Sequence, residues 1–187
     1  MAAKAVNIEC CEHFVKQTYR SQCHILGANG RQTLSVPVVK NHGQKIPIRD
    51  VRIDYAERWQ QQHWRALTTA YNNSPFFEHY ADALRPFYEN KEPFLFDFNY
   101  QLLQTLMKWM GLSAQLNCTT EYKKNITNDF RYSISPKNAD NQQNSDCTPL
   151  PYYQVFAPKF GFVPNLSVVD LLFNEGNNAQ FIIDNGQ

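Results

Sequence analysis

The dipeptide Asn29-Gly30 lies between two β-prone runs in QCHILGANGRQTLSVPVV, residues 22–39, and constrains the architecture more than any other short stretch. Both residues of an Asn-Gly pair tolerate positive φ, so the segment predicts an antiparallel hairpin turning at Ala28-Asn29-Gly30-Arg31. Pro37 has no N–H to give to a ladder and belongs at an edge or near a strand end. After a polar loop around Asn41 to Lys45, IRDVRIDY alternates well enough to predict a further strand. The opening VNIECCEHFVKQTYR reads equally as strand or loop.

The period changes after Asp54. Trp59, His63, Leu67, Ala70 and Tyr71 follow steps of three and four, and Asn72-Asn73-Ser74-Pro75 stops the run. A second helix is expected from Pro75 to about Glu89, with Phe76, Phe77, Tyr80, Leu84, Phe87 and Tyr88 on a broad apolar face. A third is expected from about Phe94 to Met110, with Gly111 placed to end it in the left-handed conformation. QLNCTTEYK predicts a short strand. SPKNADNQQNSDCTP, residues 135–149, is polar, proline-bounded and aperiodic, which predicts a long surface loop. An early hairpin and strands, a central group of three helices and a short C-terminal helical segment make the expected class α+β. The length of 187 residues suits one domain, 1–187.

Composition narrows the function classes. Formal net charge is +1 and no block of lysine or arginine occurs, which argues against nucleic acid as a partner. No window approaches the roughly 18 apolar residues of a membrane span. The N-terminus has no apolar run of the signal-peptide kind, and a cytoplasmic protein is expected. The five cysteines are Cys10, Cys11, Cys23, Cys118 and Cys147, an odd count without a C-x-x-C pair. Reduced thiols fit best, with one bridge such as Cys118 to Cys147 left open. There is no G-x-G-x-x-G, phosphate-loop or H-x-x-x-H motif, so neither cofactor nor metal is expected.

One late stretch, NLSVVDLLFNEG, sets Ser167, Asp170 and Asn174 at spacings of three and four within an apolar run. A first reading is a capping box, Ser167-x-x-Asp170, with Gly176 closing a short helix. A second starts the helix at Asn165 and makes the three residues a polar stripe on one face. A buried carboxylate there needs a partner, from a basic residue elsewhere or from a ligand.

GFVPNLSVVDLLFNEG closely resembles the C-terminal signature of the WbqC-like family, bacterial proteins often encoded among surface-polysaccharide (O-antigen) genes. FVKQTYRSQCHILGANGRQTLSVPVV is similar to the family's early block, with Lys16, Tyr19 and Arg20 in matching places. KIPIRDVRIDYAERWQQQHWRALTTAYNNSPFFEHY matches the next, and FLFDFNYQLLQTLMKWMGL a third that carries Asp97 and Asn99. The resemblance spans most of residues 14–180 and implies a role in building a surface glycan. The family's usual N-terminal strand and tyrosine-proline turn are expected to be missing here. Ser21-Gln22 stands where the family has Asn-Arg, so the role of that second arginine is not carried over.

Two hypotheses follow. In the first, the chain is a transferase modifying a nucleotide-linked sugar. Lys16 and Arg20, four apart and on one face of any strand, grip a phosphate or carboxylate, and Tyr19, Asp97, Asn99 and Asn174 complete the substrate site. His63 acts as the proton carrier, oriented by Asp97 or Asp170. In the second, the chain is a non-catalytic binding or assembly protein of the same pathway, and aromatic surfaces at Trp64, Phe76 and Tyr80 meet a partner. A Cys23–His24 dyad is rejected, since adjacent strand residues face opposite ways. The transferase needs Lys16, Arg20, His63 and Asp170 to converge on one cleft.

Overall fold

The computed structural model of the chain describes residues 5–40, 43–132, 135–136 and 150–186. The class is α+β. Two two-stranded sheets occur among the described residues. β1 (Ala5–Ile8) pairs in parallel with β4 (Gln115–Cys118), Ala5 opposite Gln115 and Ile8 opposite Cys118. β2 (Gln22–Gly27) pairs antiparallel with β3 (Gly30–Ser35), Gln22 opposite Ser35. The hairpin therefore turns on Ala28-Asn29, and Gly30 supplies its positive φ of 103°. β3 ends two residues before Pro37, as the missing N–H of that proline requires.

The helix α1 (Trp59–Tyr71) buries Trp59, His63, Leu67, Ala70 and Tyr71, the five residues whose spacing predicts its inner face. The expected second helix is split into α2 (Phe77–Leu84) and α3 (Pro86–Glu89). Pro86 carries no N–H and is tolerated only in a first turn, so the helix restarts there. α4 (Leu95–Trp109) follows, and Gly111 beyond it has φ 68°. Near the C-terminus come α5 (Ala157–Phe160), α6 (Val168–Glu175) and α7 (Ala179–Asn185). Of the loop predicted at 135–149, residues 137–149 lie outside the described residues, and Cys147 with them. Cys118 is a free thiol, as are Cys10, Cys11 and Cys23.

IRDVRIDY does not form the expected strand. Ile48–Asp50 is a 3-10 turn, and the rest makes single bridges, Ile53 with Val38 and Arg52 with Phe94. Val51 and Ile53 are buried while Arg52 is exposed, so the alternation is real. Two backbone hydrogen bonds on each side, to Pro37 and Val39 and to Pro93 and Leu95, close one bridge apiece, and no ladder propagates.

Two apolar clusters hold these elements. One joins the hairpin through Ile25 and Leu34 to α1, α2 and α6, around a fully buried Phe173. The Phe173 ring lies 5.1 Å from Tyr71 and 5.2 Å from Phe77, both edge-on. The other packs Ile48, Val51 and Ile53 on Trp59, Leu95 and Phe98. Phe87, Tyr88 and Leu102 touch both clusters and join them. Tyr80 is 3% exposed inside the first cluster, so it is unavailable to a partner.

Gly176 ends α6 with φ 57°, and a Cβ there meets the Phe76 ring at 2.7 Å. Left-handed backbone and overlap both oppose a side chain. Gly176→Ala is expected to lower stability by about 2 kcal/mol in urea denaturation. An unchanged midpoint counts against the placement of Phe76 over this turn.

Candidate functional site

Asp170 answers the question posed by its apolar surroundings. α6 starts at Val168 with Ser167 at the N-cap, yet the Ser167 hydroxyl makes no cap bond. Its backbone N–H donates instead to the His24 carbonyl at 2.7 Å, tying the helix start to β2. The capping box therefore does not form, although Ser167 does mark the helix start. Asn165, with φ 58°, lies before the helix and does not cap it.

The Asp170 carboxylate turns inward and is 1% exposed. Oδ1 accepts from the Tyr71 hydroxyl at 2.7 Å. Oδ2 accepts from the Tyr152 hydroxyl at 2.7 Å and from Gln154 Nε2 at 3.2 Å. Burial raises its pKa, and these three donors oppose the rise. Burial beside this carboxylate also pushes both phenols up, so both remain protonated donors. The Tyr71 oxygen in turn accepts the Leu26 N–H at 3.3 Å. The protein partners of Asp170 are thus neutral hydroxyls and an amide, in place of the basic residue that its burial predicts. Asn174 donates to the Asp170 carbonyl at 2.7 Å, and its own Oδ1 is buried without a protein partner.

His63 occupies a different place. Its ring is 5.1 Å from Trp59 and 6.3 Å from Tyr88, with 8% exposure and a hydrogen bond to the backbone of Ser35. Burial lowers its pKa to about 4, against a rise from the Ser35 bond, so the imidazole is neutral at pH 7. On α1 it precedes Tyr71 by two turns, about 12 Å along the axis. Tyr71, not His63, is the α1 residue that donates to Asp170. Asp97 sits on the exposed side of α4's first turn; partial burial and the charge of Glu92 raise its pKa.

Arg20 is held in a fork: Nε donates to Glu12 Oε1 at 2.6 Å and Nη2 to Oε2 at 2.8 Å. Bidentate geometry makes this a strong pair, and Glu12 is 6% exposed. Nη2 also donates to the Arg131 carbonyl at 3.1 Å, and the guanidinium lies 5.8 Å from the Tyr132 ring. Asn99 Nδ2 donates to the Arg20 carbonyl at 2.7 Å, so these two predicted residues meet, through backbone. The Tyr19 ring packs edge-on against His24 at 5.8 Å. Lys16 and Arg20 share no strand, because Gln17 takes φ 58° and a turn follows. Lys16 is exposed and lines a hollow of about 130 Å³ with Phe14, Val38, Val39 and Ile46. Another hollow, about 120 Å³, lies at Phe87, Glu92 and Phe98. Both are far below the roughly 300–1,000 Å³ that encloses a drug-sized ligand.

A charged network whose long-range pairing has no local sequence signature adjoins Arg20. Arg131 Nη1 reaches Glu9 at 3.5 Å, and its other nitrogens reach Asp129 at 2.6 and 2.9 Å. Glu9 Oε1 accepts from Thr119 Oγ1 at 2.7 Å and from the Cys11 N–H at 2.8 Å. Two glutamates flanking a cysteine pair were the visible signal; their basic partners were not visible. Among the described residues, no group of three His, Cys, Asp or Glu side chains is arranged to hold a metal ion. No helix among them is long and apolar enough to cross a membrane.

Comparison with known proteins adds three findings. The profile of the WbqC-like protein family matches residues 6–142. The chain is 26% identical over 189 aligned residues to the uncharacterized protein Rv1507c of Mycobacterium tuberculosis, covering 89% of this chain and 81% of that one. No solved structure matches significantly.

Proposed function

Because the chain belongs to the WbqC-like family, we propose that it serves bacterial surface-polysaccharide formation by binding an anionic, nucleotide-linked sugar rather than transforming it. The observation that carries this reading is the separation of the candidate side chains. Asp170 is held by three donors in the core, His63 is walled by aromatic rings, and Arg20 is forked onto Glu12. Lys16, by contrast, brings its charge to an open hollow.

A hollow of about 130 Å³ takes a phosphate or part of one sugar, and the rest of the ligand lies on the surface. Affinity is then modest, with Kd on the order of 0.1–1 mM, and salt weakens it. Calorimetric titration with uridine- and guanosine-diphosphate sugars checks this. Lys16→Ala is expected to weaken binding about fivefold, a little under 1 kcal/mol, with stability unchanged. Turnover of a nucleotide sugar by the wild type, abolished by His63→Gln in a folded protein, overturns the binding reading in favour of a transferase.

A further inference from the structure

Adjacent side chains on an extended chain face opposite ways. Cys10 and Cys11 do not. The chain leaves β1 after Ile8 and bends at Cys11, and both sulfurs reach one oxygen. Cys10 Sγ donates to the Thr119 carbonyl at 2.8 Å, and Cys11 Sγ lies 3.7 Å from the same atom. The Arg49 guanidinium stands 3.8 Å from Cys11 Sγ. Cys10 is buried and Cys11 half-buried, so one sulfur is open to a reagent and the other waits behind it.

We infer that Cys10 and Cys11 form a redox-active vicinal thiol pair, closed to a disulfide by exchange with a small disulfide of the glutathione type. The Cys11 thiolate attacks one glutathione sulfur and expels a glutathione thiolate, leaving a mixed disulfide. The Cys10 thiol, its proton passed to that thiolate, attacks Cys11 Sγ and expels the second glutathione. Two protein S–H groups and one small disulfide become one protein disulfide and two small thiols, and no other oxidant is needed. Neighbouring Cα atoms are about 3.8 Å apart. Unstrained disulfides span about 4.4–6.8 Å, so this ring is strained and opens readily, as a switch does and a structural bridge does not.

Closure also withdraws Cys10 Sγ from Thr119, and Thr119 is a hub. Its Oγ1 accepts the Cys10 N–H at 3.2 Å and donates to Glu9, which pairs with Arg131. Arg131 clasps its own segment through the carbonyls of Lys123 and Lys124 at 2.9 and 3.1 Å. Oxidation at the pair therefore loosens residues 120–131. The site is independent of Lys16 and of the binding reading. Cys23 is a poor competitor: burial pushes its thiol up to about 11, despite the Ser167 hydroxyl, and keeps it protonated.

The test treats the full chain with oxidised glutathione, traps it with acid and alkylating agent, and maps peptides by mass. The wild type is expected to lose two hydrogens within the peptide holding both cysteines and to retain no glutathione. Cys10→Ser is expected to keep one glutathione on Cys11, and Cys11→Ser to leave Cys10 unmodified. Should either variant fail to fold, phenylarsine oxide on the wild type gives a second reading, since bridging both thiols protects them together. Amide exchange over residues 120–131 is expected to accelerate at least about tenfold on oxidation. Two thiols still alkylatable, a retained glutathione, or a bridge mapped to Cys118 overturns the pair. A closed bridge with unchanged exchange overturns its coupling to the segment.

Discussion

Asp170→Ala is expected to lower folding stability by about 3–5 kcal/mol, enough to unfold a marginal domain. The reasoning is one of orphaned donors. Removing the carboxylate leaves the hydroxyls of Tyr71 and Tyr152 and the Gln154 amide in the core without their acceptor. An unsatisfied buried donor costs about 1–3 kcal/mol. Tyr71 has little freedom to re-aim, because its oxygen is already engaged by the Leu26 N–H. Gln154 keeps Val163, donating to its carbonyl and accepting its N–H, both at 2.9 Å, so part of the amide's demand remains met.

Asp170→Asn preserves volume but places an NH₂ group against a donor, and about half of the loss is expected. Tyr152→Phe removes one donor only and is expected to cost about 1 kcal/mol. Urea titration of the four proteins checks the series. A cost below about 1 kcal/mol for the alanine variant contradicts the view that this carboxylate fastens the C-terminal segment to α1 and β2. The ordering matters as well: an asparagine variant weaker than alanine points to repulsion where hydrogen bonding is claimed.

This network marks the boundary of what was legible in the sequence. The inner face of α1 could be read residue by residue, because a period of 3.6 concerns neighbours on one element. The hairpin was legible for the same local reason. Asp170 was visible as an anomaly, but its partners were not. Tyr71 and Tyr152 count as apolar in any hydrophobic pattern, and the hydroxyl that matters is hidden behind the ring. Pro86 marks the split locally, but the aromatic face continues across it and masks the break. Glu9 and Arg131 stand 122 positions apart, and nothing local in either stretch announces the contact. Spacing of four gave Lys16 and Arg20 a shared face only on the premise of a strand, and the positive φ of Gln17 removes that premise.

Between about pH 6.5 and pH 4, stability is expected to fall by about 3 kcal/mol through His63 alone. Unfolded, the imidazole takes a proton near its ordinary value of 6.5; folded, burial keeps it neutral until about 4. The unfolded chain thus binds more protons throughout this window, and stability rises with pH there. Above 6.5 neither state is protonated and the contribution is constant. Asp170 works with the opposite sign. Its raised pKa makes the folded state the stronger proton binder above about 3.8, so its contribution grows as pH falls through the raised value. The two contributions have opposite signs, and the total curve isolates neither. His63→Gln removes one of them. The difference between wild-type and His63→Gln unfolding free energies, taken at each pH, is expected to slope by up to about 1.4 kcal/mol per unit across the window and to be flat above it. A flat difference throughout means that the ring is open to water. The aromatic wall of Trp59 and Tyr88 then fails as the reason His63 is withheld from proton transfer, and the case for a binding protein loses its main support.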